Sequence, residues 1–237
     1  MLETLAALAF AHVVADYLLQ TRWIVENKRG AGFAIHIAIV FAAAVACLGQ
    51  VSWIVLWITA AHLAIDATKT LLLPDRLWSY LADQAAHFLS VALLAALFPL
   101  SWETGVWGGV APAWVPVLMA AATGFVFATR AGQFAIGLFL REALPSATSQ
   151  PLAPSAATIG LLERAIIVLL VLAGAPWAVV LLIAAKAVWQ FAIPAQGKAA
   201  REQVITGSVA SFAWGIAVAL VTQVMVTSID QAGIQGP

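Results

Sequence analysis

Eight long apolar runs dominate this chain, at about 4–22, 33–49, 51–71, 79–99, 113–140, 157–174, 176–194 and 204–227. Each is close to the length of about 20 residues that crosses roughly 30 Å of hydrocarbon. Lipid offers no hydrogen bonds, so backbone N–H and C=O groups in such runs must be satisfied within the segment, and helices are the expected form. The expectation is an all-α, polytopic membrane helix bundle of about eight transmembrane helices. A 63% hydrophobic and 9% charged composition, with a mean hydropathy of +0.99, excludes an ordinary soluble domain. Net charge is zero and no block of like charges appears, so nucleic acid is not an expected partner. Cys47 is the single cysteine and cannot close an internal disulfide. The first run has Glu3 in its leader and His12 and Asp16 within it, so it reads as a retained span, not a cleaved signal.

The connections carry an orientation signal. Arg22, Lys28, Arg29, Lys69, Arg76, Arg141, Lys198 and Arg201 all fall in alternate connections, and the others lack Lys and Arg. By the positive-inside rule the basic side is cytoplasmic, which puts both termini on the opposite side of a bacterial inner membrane. Tryptophans 53, 57, 102, 107, 114 and 177 lie near span ends on that opposite side, as interfacial anchors do. The fifth run contains Arg130 and is expected to be tilted, broken or partly a surface helix. Pro145 to Pro154 reads as a hydrophilic loop. The chain divides into a four-span His/Asp module over 1–100 and a four-span helical module over 101–237 of the same membrane domain.

All four histidines, His12, His36, His62 and His87, lie in the first module with Asp16, Asp66 and Asp83. A charged group at the centre of a membrane helix costs about 2.5–3.5 kcal/mol on insertion scales, so several together need compensation. His12 and Asp16, His62 and Asp66, and Asp83 and His87 are each four residues apart, hence on one helical face. The order reverses in the fourth run, which travels the other way. An Asp layer is therefore expected about one turn nearer the cytoplasm than a His layer, with His36 capping the cytoplasmic side.

Three carboxylates at one depth repel one another, and a divalent cation would remove that cost. Imidazole with carboxylate suits zinc, iron or manganese, and His12, Asp16, His36, His62, Asp66, Asp83 and His87 could hold one or two ions. An ion with an open position lowers the pKa of bound water towards 7 and supplies hydroxide. Asp16, Asp66, Asp83 and Lys69 are the candidate catalytic groups. Gln20, Lys28 and Gln84 could orient a ligand or meet substrate at the rim, although positive-inside anchoring also explains both lysines. In the second module Glu163, Arg164 and Lys186 are buried charges at similar depth. An ion pair of Glu163 with Lys186 or Arg130 is the simplest reading, and a substrate headgroup clamp the functional one. Gly207, Ser208 and Ser211 read as close helix packing.

At these residues the chain resembles an uncharacterised bacterial integral-membrane family, catalogued as domain of unknown function 3307. The shared pattern is His12-x-x-x-Asp16-x-x-x-Gln20, Lys28, His36, His62-x-x-x-Asp66-x-x-Lys69 and Asp83-Gln84-x-x-His87. Later similarity lies in Gly160-Leu-Leu-Glu163-Arg164, Ala185-Lys186 and Gly207-Ser208-x-x-Ser211, with Gln190 where the family pattern has Arg. The resemblance implies a membrane fold and brings no activity.

Two functions follow from the residues. One is a membrane-embedded, metal-dependent hydrolase-like protein with its His/Asp site in the cytoplasmic leaflet. Its surroundings would be the lipid bilayer, an amphiphilic or small-molecule substrate, and further copies in an oligomer. The other is a transporter or ion- or proton-translocating protein using the same cluster. Buried polar contacts holding helices together, in a non-catalytic membrane subunit, are the structural alternative.

Overall fold

A computed structural model describes residues 1–145, 154–192 and 197–235. The described residues form helices and connections without strands. Among the described residues five helices are long and apolar enough to cross a membrane: Ala31–Leu48, Trp53–Leu72, Leu77–Leu97, Trp114–Ala143 and Arg201–Ala232. The hydrophilic stretch expected between Pro145 and Pro154 falls largely outside the described residues. Two compact units are present, one of residues 1–123 and 225–237, the other of residues 124–224.

In the first unit, α1 (Leu2–Val13) runs into a π-turn, Val14–Leu18. There follow a short α2 (Arg22–Glu26), then α3 (Ala31–Leu48), α4 (Trp53–Leu72) and α5 (Leu77–Leu97). Helix α1 packs on α3 and α5, and α4 packs on the same two, which closes a ring of four. Leu8, Val40, Ala44, Leu48, Ile54, Val55, Ile58 and Val91 fill its interior. Each helix contributes one histidine to this ring, at positions 12, 36, 62 and 87.

Local chemistry fixes the register of these helices. Thr4, wholly buried, donates to the Pro99 carbonyl at 2.9 Å and accepts from the Trp102 amide at 3.1 Å, tying the start of α1 to the segment after α5. Trp102 is thereby buried and does not stand at an interface as its position near a span end suggests. At the far end, the Thr21 hydroxyl accepts from the Ile24 amide at 3.4 Å and starts α2. The α2–α3 hairpin is so tight that a Cβ on Gly32 would lie 2.6 Å from the Ile24 carbonyl oxygen. That closeness brings Lys28 back over the ring. Gly49 ends α3 in the left-handed region at φ +68, the conformation for which glycine is the default.

A short α6 (Val106–Val110) precedes α7 (Trp114–Val126), and the second unit contains the last three residues of α7, a π-turn at Phe127–Ala131, α8 (Gly132–Ala143), α9 (Pro154–Leu172), α10 (Trp177–Ala192) and the first part of α11 (Lys198–Gln235). The fifth apolar run is thus one helical path interrupted by a π-turn at Arg130. Ile167, Val168, Val171, Val179, Phe212 and Ala219 form its core. Gly207 packs against Leu140, where a Cβ would meet the leucine at 3.3 Å, as expected of a small residue at a helix contact.

Candidate functional site

The four-helix ring gathers all seven predicted His and Asp residues. Asp16 sits in the π-turn, where an i to i+5 pattern shifts the face presented after His12. Its Oδ1 lies 3.5 Å from His36 Nε2 and 3.4 Å from His62 Nε2, and those two nitrogens are 3.1 Å apart. Asp66 Oδ2 stands 3.3 Å from His36 Nε2 and 3.9 Å from His62 Nε2. His36 has no exposed surface; it stands at the centre of the cluster and is more than a cap on its edge.

Beside this set, the rings of His12 and His87 are stacked with centroids 4.8 Å apart, and His62 and His87 approach to 4.2 Å. Donor atoms of Asp66, Asp83 and His87 also lie within 4.8 Å of one another, as do those of His12, His62 and His87. Asp83 Oδ2 accepts from Gln84 Nε2 at 3.0 Å, and the Asp83 carbonyl is 3.0 Å from His87 Nδ1. Lys28 pairs with Asp66 at 3.2 Å, and Gln20 Nε2 lies 3.2 Å from His36 Nε2.

The hydrogen-bond inventory of the cluster does not close. An imidazole nitrogen carries one hydrogen or one lone pair, yet His36 Nε2 has polar atoms of Asp16, Gln20, His62 and Asp66 within 3.5 Å. Both ring nitrogens of His12, Nδ1 of His36, Nε2 of His87, Oδ1 of Asp16 and of Asp83, and Oε1 of Gln84 are buried without a hydrogen-bond partner. Buried polar atoms in folded proteins are nearly always bonded, so a concentration of orphans at one place asks for a ligand.

Among these side chains three donor atoms, one of them the orphan Asp16 Oδ1, have the spacing of a metal shell. Ligands on a tetrahedral ion with bonds of about 2.0–2.1 Å lie about 3.3–3.4 Å from one another. Asp16 Oδ1, His36 Nε2 and His62 Nε2 form a triangle with sides of 3.1, 3.4 and 3.5 Å. Two imidazoles and one carboxylate are the donor set of open zinc and iron sites.

Towards the start of α1 the cluster is closed by apolar side chains. A cavity of about 10 Å³ lies between His12, His62 and His87 and the side chains of Leu8, Val40 and Ile58. That is room for about one water. Beyond it lie Ala7, Leu48, Ile54 and Val55, all essentially without exposed surface.

Lys69 is not at the cluster. Its ammonium bonds the Pro74 carbonyl at 3.2 Å and Ser79 Oγ at 3.3 Å, and so secures the α4–α5 connection. Glu163, Arg164 and Lys186 belong to the second unit. Arg164 is 2% exposed and donates to the carbonyls of Ala128 (2.8 Å) and Thr129 (3.1 Å) and to Ser211 Oγ (2.6 Å). It thus satisfies carbonyls of the π-turn. Glu163 pairs with Lys186, and Gln190 donates to Ser208 at 2.7 Å.

Sequence reasoning passed over Tyr17 and Tyr80, the only tyrosines in the chain, whose hydroxyls are 2.7 Å apart. One follows Asp16 directly and the other precedes Asp83 by three residues, and that spacing from the two acids was the available signal. Nothing in the sequence marks the π-turn that carries Asp16.

Neither curated proteins nor solved structures yield a match to the chain. A family model described as "Protein of unknown function (DUF3307)" matches residues 4–106, which span the closed ring and every His and Asp of the cluster. Over residues 4–106 the chain is similar to that family.

Proposed function

We propose that the first unit is a membrane-embedded, metal-dependent hydrolase. The carrying observation is the triangle of Asp16 Oδ1, His36 Nε2 and His62 Nε2, with sides of 3.1–3.5 Å. These three atoms would hold a zinc, iron or manganese ion and leave a position for water. Asp66 borders that position, is kept in place by Lys28, and is our general base; Asp83 lies next to it. His12 and His87 supply donors for a second ion. Lys28 and the Tyr17–Tyr80 pair form the rim that substrate would meet.

The bulk of the chain we assign to a bacterial inner membrane as about eight spans. The alternating basic connections support a cytoplasmic position for the rim and the opposite side for both termini. Transport by the same cluster is the second reading. The apolar layer of Leu48, Ile54 and Val55 behind the histidines favours a one-sided site over a transit path.

The test is chelator-sensitive turnover of amphiphilic esters and phosphoesters by the purified protein in lipid. Asp66→Asn should retain the ion and lose turnover by about 100-fold, a range usual for a general base. Turnover unchanged by both chelation and Asp66→Asn would sink the hydrolase assignment.

A further inference from the structure

The second unit contains a separate, partly open cavity of about 890 Å³ among α8, α9, α10 and α11. Its volume lies in the range of small-molecule sites, about 300–1,000 Å³. The wall is largely apolar, with Leu140, Ile159, Leu182 and Trp189 on it, and is interrupted by the Glu163–Lys186 pair.

That pair is incomplete in a specific way. Glu163 is 7% exposed and its Oε1 accepts from Lys186, but its Oε2 is buried without a hydrogen-bond partner. The ammonium has three hydrogens and uses one on Oε1. An acceptor lacking a donor therefore stands beside a donor with capacity to spare, on a mostly apolar wall that also carries Gln133, Arg201, Gln203 and Ser208. A hydroxyl answers both needs, whether of water or of an alcohol, since it donates to Oε2 and accepts from Nζ; the apolar wall beside it favours one that carries a chain. A carboxylate or phosphate would face the Glu163 charge, a primary amine would face Lys186, and a quaternary ammonium has no hydrogen for Oε2.

We propose that this cavity binds a single-chain lipid alcohol, its hydroxyl seated between Glu163 and Lys186 and its chain along Leu182 and Ile159. The site is independent of the His/Asp cluster and stands whether or not that cluster holds a metal.

Photolabelling of the full-length protein in lipid with a diazirine-bearing monoacylglycerol tests it. Label should appear in peptides containing Gly137 and Leu182. Unlabelled monooleoylglycerol should compete, and equal concentrations of oleate or dioleoylphosphatidylcholine should not. Glu163→Gln and Lys186→Met should each weaken competition about tenfold, the scale of a hydrogen bond to a charged group. Gly137 lines the cavity, and a Cβ there meets nothing within 4 Å. Gly137→Trp should therefore abolish labelling with an unchanged melting temperature, even if the charge variants fold poorly. Equal competition by phosphatidylcholine would mean ordinary membrane lipid in a crevice and overturn the proposal. Preference for oleate, or labelling indifferent to Gly137→Trp, would overturn it as well.

Discussion

Both units bury charged and polar side chains among apolar helices, and they treat them in opposite ways. In the second unit Arg164 donates three hydrogen bonds within its own fold and Glu163 Oε1 is paired with Lys186, which leaves Glu163 Oε2 as the one unbonded atom of that charged trio. In the first unit seven buried polar atoms of His12, Asp16, His36, Asp83, Gln84 and His87 have no bonding partner, although the side chains crowd within a few ångströms. A π-turn serves each arrangement. At Phe127–Ala131 it exposes carbonyls that Arg164 takes up, whereas at Val14–Leu18 it turns Asp16 towards two histidines. Internal satisfaction marks a structural polar group, and convergent dissatisfaction marks a place for something from outside.

This contrast separates the consequences of substitution. The largest effect belongs to the first unit with the proposed ion. At free metal a thousandfold above Kd, binding stabilises the fold by about 4 kcal/mol, and chelation should remove that increment from the wild type. His36→Ala should show no chelator response in thermal unfolding, which would bring the two proteins together when metal-free. Next in size is Arg164→Leu, which leaves the Ala128 and Thr129 carbonyls and Ser211 without their donor. Loss of about 3 kcal/mol is expected at roughly 1–3 kcal/mol per orphaned buried group, partly relaxed. This loss should be the same with and without chelator, and a metal-dependent difference would break the distinction between the units.

Smaller changes sharpen the map of the first unit. Tyr17→Phe removes one hydroxyl of the 2.7 Å pair and should cost about 1 kcal/mol in unfolding, with metal content unchanged. Lys69→Met should cost under about 1 kcal/mol, since its bonds to the Pro74 carbonyl and to Ser79 are long, at 3.2 and 3.3 Å, and the ammonium is partly solvated. It should leave metal affinity within twofold. A strong metal effect at Lys69 would mean that the lysine reaches the cluster.

Much of this arrangement was legible in the residues. Helical spacing of four put His12 with Asp16, His62 with Asp66 and Asp83 with His87, and the reversed order in α5 fits a helix of opposite direction. Depth put His36 as a cap on the cytoplasmic side of the cluster, and periodicity could not say that a 0% exposed His36 would stand between Asp16 and Asp66. Its place depends on the α2–α3 hairpin and the close approach at Gly32. Lys69 misled because a lysine one turn from Asp66 can extend either way along its helix, and Ser79 and Pro74 offered it partners in the connection. The Glu163 alternatives were resolved in favour of Lys186, and Arg130 is an exposed residue of the second π-turn.

Metal content of the purified full-length protein tests the central claim most directly. After exchange into metal-free buffer, elemental analysis of the wild type should find one to two zinc, iron or manganese ions per chain. His36→Ala, folded by circular dichroism, should retain less than a tenth of that, and Lys69→Met should retain all of it. A folded wild-type protein that takes up no such ion when offered each metal in turn, or a His36→Ala protein with full content, would contradict the account.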